Sequence, residues 1–350
     1  MSFIPKISKL LLTIPLTLSL FISLPALSSE EIELKEDKVV ISLVAPSREV
    51  NDDVVTVFRA ALKDQGCLTL LPEHYQDTKK APYGYHSESD KVRARLFTTA
   101  HNEESQVIWA LRGGYGTQAV TRALKTAPIE YSTPKILVGF SDFTLLGLYC
   151  HSTFGDHFLH GPMYYATETQ EISGVTIGSG TSLKSVTDIL KGEVSQLTYM
   201  LRPLNDKARE VTLKDSPILG GNLSVIQRNA FGLLKNLSFD GSILFLEDTT
   251  EDVKRLENIL YGLFDSERFN KLQGILFGNL PVAGGSFEDF ISRFNSYLST
   301  DLSLDIPLYY RADFGHGLIN HPLPMGTAAH IEPTDFGSRL VVNTFKPKKS

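Results

Sequence analysis

KILVGFSDFTLLGLYC, Lys135 to Cys150, reads as strand, sharp turn and helix. Ile136, Leu137 and Val138 make the short apolar run of a buried parallel strand. Gly139 and the pair Ser141-Asp142 break that run, and from Phe143 to Tyr149 apolar residues return on a helical period. A serine at such a turn is lifted out of the sheet, beside the unpaired N–H groups that open the next helix. An exposed oxygen on rigid support, with donors at hand for a developing oxyanion, is what a nucleophile requires. The stretch departs from G-x-S-x-G, because Phe143 stands where the second glycine belongs. Ser and Asp are also favoured helix caps, so this stretch alone leaves cap and nucleophile both open.

Upstream, the same alternation repeats. Val39 to Ala45 (VVISLVA) is a buried strand ending at Pro46, and Asn51 to Gln65 is an amphipathic helix with Val54, Val57, Phe58, Ala61 and Leu62 on one face. Leu68 to Leu71 and Val107 to Leu111 read as strands, and Ser89 to Ala100 and Thr117 to Leu124 as helices. This rhythm predicts a parallel sheet covered on both faces, an α/β architecture. Sites in such sheets form beyond the carboxyl ends of the strands. The loop Arg112-Gly113-Gly114-Tyr115-Gly116 follows one strand and Ser141 the next, so the two are expected to be neighbours. The loop has neither G-x-x-x-x-G-K-[ST] nor G-x-G-x-x-G, which argues against a nucleotide cradle. Bare backbone N–H groups beside a serine suit an oxyanion hole better.

The 350 residues are 42% hydrophobic and 21% charged, ordinary for a soluble globular chain long enough for two domains. Residues 1–28 read as a secretory signal: Lys6 and Lys9 are followed by an apolar run from Leu10 to Leu24, with small residues before a cleavage point after Ser28. No cysteine follows that run to carry a lipid, and the run is short for a membrane span. Cleavage removes two lysines and no acid, taking the net charge from −6 to −8. That excess of negative charge excludes nucleic acid or an anionic membrane as the main partner. The expected location is periplasmic or secreted, with no stable membrane insertion after cleavage. Cys67 and Cys150 lie in apolar surroundings and read as buried thiols, without a histidine pattern that suggests a cysteine nucleophile.

Periodicity weakens between residues 164 and 214, where pieces such as IGSGTS suggest a linker into a second domain. The boundaries are therefore 39–163 for the domain with Ser141, 164–214 for the linker, and 215–345 for the second domain. In the latter, Gly220-Gly221-Asn222 precedes an apolar helix, and Ser242 to Leu246 is a strand that ends at Glu247-Asp248. Thr249 to Glu251 would cap the helix Val253 to Phe264. Gly274 to Phe277 is a strand, Phe287 to Leu298 a helix, and Asp313-Phe314-Gly315-His316-Gly317 a loop.

Ser141, Glu247 and His316 thus all stand at predicted strand ends or in a glycine-flanked loop. A hydroxyl attacks poorly at neutral pH unless a histidine takes its proton and a carboxylate holds that imidazole. Spacing alone leaves Asp248 and Asp313 as alternative partners for the histidine. A zinc site from His151, His157 and His160 has no strong metal-binding spacing.

Seven blocks in one order now carry a resemblance: VAPS (Val44–Ser47), RGGYG (Arg112–Gly116), GFSDFT (Gly139–Thr144), HGPM (His160–Met163), GGNL (Gly220–Leu223), LFLED (Leu244–Asp248) and FGH (Phe314–His316). Together they resemble the LD-carboxypeptidase family of serine peptidases, the muramoyltetrapeptide carboxypeptidases, over nearly the whole chain after the leader. The resemblance implies an N-terminal α/β domain like that of class I glutamine amidotransferases and a smaller C-terminal domain with barrel-like β structure. It implies Ser141 as nucleophile, His316 as general base and then acid, Glu247 as its orienting carboxylate, and an oxyanion hole from the N–H groups of Gly114 (Gly113 being nearly equivalent) and Asp142. Arg112, with Gly113, is the candidate to meet the substrate's terminal carboxylate, as a guanidinium matches it bidentately.

The implied chemistry is hydrolysis of the amide between an L-centre and a C-terminal D-amino acid, D-alanine in peptidoglycan tetrapeptides, with no metal or cofactor. The implied partners are muropeptides, and a homodimer is expected because members are often dimers. Many members act in the cytoplasm, so an export signal departs from the family's habit. Two other readings compete: a related hydrolase that disarms a peptide–nucleotide antibiotic, and an exported peptide- or sugar-binding module without activity. The RGGYG loop speaks against the first, and the retained Ser, Glu and His against the second.

Overall fold

The computed structural model describes residues 38–81, 83–126, 133–163, 179–317 and 319–345; the leader expected at 1–28 lies outside them. The chain opens with β1 (Val40–Val44), α1 (Asp52–Asp64), β2 (Leu68–Leu70), α2 (Asp90–Asn102) and β3 (Val107–Ala110). It continues through α3 (Thr117–Thr126), β4 (Ile136–Gly139), α4 (Phe143–Phe154) and β5 (His157–His160). These five strands lie side by side in the order β5-β4-β3-β1-β2, all parallel, as the strand–helix rhythm requires. β1, β3 and β4 are buried along their whole length, which is why they read as unbroken apolar runs rather than alternating ones.

Of the stretch expected to be a linker, residues 164–178 lie outside the described residues, and the rest is folded. It contains α5 (Ser179–Leu190), β6 (Gln196–Pro203), α6 (Asp206–Glu210) and the start of β7 (Leu213–Asn222). β6 alternates between exposed and covered positions. That is the two-residue period of a strand with one face in solvent, and the polar residues it requires hid the strand from a search for apolar runs.

The chain then gives α7 (Leu223–Asn229), β8 (Ile243–Glu247), β9 (Glu251–Asp252) and α8 (Val253–Phe264), then β10 (Gly274–Phe277), β11 (Val282–Ala283), α9 (Phe287–Ser296) and β12 (Leu308–Tyr310). It ends with β13 (Leu323–Met325), β14 (Ala328–Thr334) and β15 (Gly337–Asn343). Seven strands close into a barrel in the order β10-β12-β6-β15-β14-β7-β8. β7, β8, β10 and β12 run parallel with helices between them, and the other barrel pairings are antiparallel. β13 leaves the barrel region and adds antiparallel to β5, at the edge of the first sheet. Helix α8 is capped by Asp252, whose carboxylate accepts from Lys254 N–H at 2.9 Å, and not by the threonines before it.

Helix α4 links the two sheets. Residues Phe143 to Cys150 are all buried, and a helix that is apolar all round must be covered on every side. Its side chains share one hydrophobic cluster with Leu219, Leu223 and Ile226 of β7 and α7 and with the barrel interior. Thr144 accepts a hydrogen bond from Asn222 N–H at 3.1 Å. The element that begins at Ser141 is thereby packed directly against the barrel.

Candidate active site

Ser141 occupies the turn from β4 to α4 with φ of 59°. For a serine this left-handed conformation is strained, and such strain persists where surrounding bonds over-determine it. Phe143 N–H donates to Phe140 O at 3.1 Å and Thr144 N–H to Ser141 O at 3.0 Å, so the turn passes directly into the helix. The departure at position 143 has a packing answer: a Cβ on Gly139 would lie 2.5 Å from the Phe143 ring. The first glycine alone makes room for the turn, and the aromatic side chain fills the space above it.

Asp142 precedes α4 but makes no side-chain cap bond. Its carboxylate accepts from Ser47 Oγ at 2.7 Å and from Thr117 N–H at 3.0 Å, while its carbonyl accepts from Thr117 Oγ1 at 2.7 Å. The cap reading is therefore replaced by a brace, which ties the elbow to the loop after β1 and to the helix after the glycine loop. Burial pushes the Asp142 carboxyl upward, against the pull of the Thr117 and Ser47 hydrogen bonds.

The structure brings the three residues named from sequence into hydrogen-bonding reach. His316 Nε2 lies 3.0 Å from Ser141 Oγ, and His316 Nδ1 lies 2.6 Å from Glu247 Oε2. Ser141 follows β4, Glu247 ends β8, and His316 lies in the loop after β12, so each leaves the carboxyl end of a parallel strand. The two alternative acids are committed elsewhere. Asp248 accepts from Asn222 Nδ2, Ser224 N–H and Thr249 N–H, each at 2.9 Å, and Asp313 pairs with Arg311 at 2.9 Å.

The histidine loop depends on a glycine at one position. Gly315 has φ of 101°, and a Cβ there would fall 2.4 Å from Glu247 Oε2. Its N–H donates to Asn320 Oδ1 at 2.8 Å, which pins the loop from the other side. Electrostatics follow from this burial. Desolvation opposes the charge on Glu247, but His316 and His160 outweigh it and bring the carboxyl down to about 2. Desolvation likewise opposes the imidazolium of His316, and the Glu247 carboxylate overcomes it, so the ring binds a proton more tightly than an ordinary histidine. A carboxylate beside an imidazole that gains a proton is the electrostatic arrangement of a general base.

Gly113 comes close to the serine: a Cβ there would lie 3.0 Å from Ser141 Cβ and 3.2 Å from its Oγ. Gly114 follows with φ of 115°, covered by the aliphatic stem of Arg48. The N–H groups of Gly114 and Asp142 have no bonded acceptor among the described residues. Arg112 is half-buried, and its Nη1 donates to Glu49 O at 3.2 Å, which tethers the guanidinium beside the loop.

Several side chains that frame the site were beyond sequence reasoning: Ser47 and Thr117 as braces, Arg48 over the loop, Asn320 behind Gly315, and His160 beside Glu247. His160 Nε2 is 3.6 Å from Glu247 Oε1. A histidine closing a strand next to the serine strand, and opening the HGPM block, is the available signal, but nothing in the sequence ties it to Glu247. The three histidines of that alternative have different surroundings: His151 Nδ1 contacts Asp156 O at 2.9 Å, His157 stacks on Phe345, and His160 faces Glu247. Among the described residues no group of three or more His, Cys, Asp or Glu could hold a metal ion. Cys67 and Cys150 are free and buried, and burial raises both thiols.

The chain is similar to known proteins along most of its length. The LD-carboxypeptidase N-terminal domain matches residues 41–161 and the LD-carboxypeptidase C-terminal domain residues 215–331. The murein tetrapeptide carboxypeptidase of Pseudomonas aeruginosa is 28% identical over 309 residues, 86% of this chain and 94% of that one. A Rickettsia conorii protein provisionally named a carboxypeptidase is 31% identical over 248 residues, 69% of this chain and 73% of that one. Among solved structures, muramoyltetrapeptide carboxypeptidase from Oxalobacter formigenes superposes with a TM-score of 0.69 at 22% identity, covering 88% of this chain and 99% of that one. Both matched domains and the shared architecture lead to one assignment: this chain belongs to the LD-carboxypeptidase family and is a serine-type carboxypeptidase.

Proposed function

We propose that the enzyme removes the C-terminal D-alanine from peptidoglycan tetrapeptides, leaving tripeptides, by hydrolysing the amide between an L-centre and that D-residue. The observation that carries this reading is the continuous path of Ser141 Oγ, His316 and Glu247 across 3.0 and 2.6 Å. His316 takes the Ser141 proton as Oγ attacks the carbonyl carbon, and Glu247 stabilises the imidazolium that forms. The N–H groups of Gly114 and Asp142, with Gly113 close by, receive the oxyanion. The tetrahedral intermediate collapses when His316 returns its proton to the departing amine, which releases D-alanine and leaves the acyl group on Ser141. A water molecule, deprotonated by the same imidazole, then cleaves the ester. Arg112 is assigned to the substrate's terminal carboxylate, the group that distinguishes a carboxypeptidase substrate from an internal peptide.

The leader read at residues 1–28 would carry the enzyme to the periplasm or beyond, where it would meet the sacculus or its released fragments directly. The test is mass spectrometry of disaccharide-tetrapeptide incubated with the chain lacking residues 1–28, beside its Ser141→Ala variant. Loss of a single alanine mass with the intact serine only is the expected result. No change with either protein, together with cleavage of a peptidyl–nucleotide amide, would replace this substrate with the antibiotic-type one.

A further inference from the structure

The Glu247 carboxylate has two oxygens, and the reading above uses one of them. Oε2 accepts from His316; Oε1 is fully buried and has no hydrogen-bond partner among the described residues. A charged oxygen left in that state is costly, since burial without a donor forfeits its hydration. The nitrogen facing it is His160 Nε2, at 3.6 Å, and neither ring nitrogen of His160 has a hydrogen-bond partner among the described residues. His160 is fully buried, with Phe245 and Phe140 against its ring at 4.9 and 5.8 Å between centroids. Glu247 is the carboxylate that faces it, and His316 lies across the same carboxylate. The register pairs His160 with Gly139, two residues before the serine, so the strand that holds it is the neighbour of the one that presents Ser141.

We propose that His160 is a positioning residue of the catalytic site, a neutral imidazole that presents an Nε2–H to Glu247 Oε1. The carboxylate is then held between two histidines, one on each oxygen. In the resting state 3.6 Å is too long for a hydrogen bond, and the contact orients the carboxylate by charge and dipole alone. Such contacts shorten as a reaction proceeds. When His316 gains the serine proton, Glu247 must face a full positive charge without rotating, and a donor on its far oxygen prevents rotation. The contact also spans the first sheet and the barrel, so it sets the carboxylate of one against the serine of the other.

The inference rests on the Ser141–His316–Glu247 reading, and the test separates the two. In steady-state kinetics on the tetrapeptide, His160→Phe keeps a ring in the aromatic cage but removes the donor. It should lower kcat roughly 10- to 100-fold, the range typical of residues that orient a reacting group, with KM within about twofold. His160→Gln, whose amide can reach the same oxygen, should recover most of that loss. With no donor on Oε1, more of the carboxylate's charge falls on His316, so the acid limb of kcat/KM should move to higher pH in His160→Phe. Unchanged kcat and an unmoved limb would overturn the proposal, as would a loss in His160→Phe that His160→Gln fails to relieve. Because His160→Phe could fold poorly, histidine ¹⁵N NMR of the unaltered chain supplies a second reading. A neutral Nε2–H tautomer for His160 is expected, and an Nδ1–H tautomer would refute the proposal regardless of turnover. Activity persisting in Ser141→Ala would instead defeat the triad reading while leaving the tautomer result to stand.

Discussion

Two turns meet at this site, and they are built differently. The serine turn lies between a buried parallel strand and a buried helix, with strain at Ser141 held by the Asp142 braces. The histidine loop follows a three-residue strand and keeps its shape through Gly315, Asn320 and the carboxylate it touches. The first turn is shaped by the strand and helix on either side of it, and braces from Ser47 and Thr117 hold its strain. The second is in place because distant residues leave it nowhere else to go. A site divided this way keeps its nucleophile fixed and makes its base depend on packing between barrel and sheet.

The sharpest break in the comparison is removal of the reacting groups themselves. Ser141→Ala and His316→Ala should each lower kcat by roughly 10³- to 10⁶-fold with circular dichroism unchanged; activity near the parent level in either variant would dismiss the mechanism. Next is the histidine loop's dependence on its glycine. Gly315→Ala places a methyl at the Glu247 carboxylate and a side chain at φ of 101°. Activity should fall at least about 100-fold, and stability by about 1–3 kcal/mol in denaturant unfolding. An unaffected Gly315→Ala variant would mean that the loop is less constrained than its contacts imply.

The pH profile reports the electrostatics that join the two turns. His316 acts as a base only when neutral, and Glu247 raises its proton affinity. The rate should therefore fall with decreasing pH along a limb centred above the ordinary histidine value of 6.5. Glu247→Gln should cut kcat by roughly 10²- to 10⁴-fold and move the limb that remains to lower pH. A limb that stays in place would show that another group sets it. The smallest expected effect tests the neighbouring acid. Asp248→Asn loses part of a three-donor acceptor site at the start of α7. It should cost about 1–3 kcal/mol of stability and move the acid limb to lower pH by less than Glu247→Gln does, because the Asp248 charge also raises the proton affinity of His316, though less than Glu247.

Legibility of the site followed the same division. The serine elbow and the glycine loop could be read from short segments, because a turn after a buried strand leaves a local mark in glycine and small polar residues. Glu247 could be placed at a strand end, yet Asp248 beside it and Asp313 were equal candidates by spacing. Only the resemblance ranked them. Strand β6 escaped notice because half of it faces solvent, and Ser47, Thr117 and Asn320 escaped because each is an ordinary polar residue until its partner is known.

The sequence by itself determined the parallel sheet, the helices that cover it, the elbow at Ser141 and the family of seven blocks. The sheet, helices and elbow depend on periodicity and turn chemistry within about twenty residues, the range over which local propensity acts, whereas the family rests on the resemblance of the blocks. Closure of the barrel, the meeting of Glu247 with His316, the bracing of Asp142 and the approach of His160 were decided by the tertiary structure alone. Each depends on residues 25 or more positions apart meeting through contacts of a few ångströms, and no local preference records which distant partner a side chain will meet.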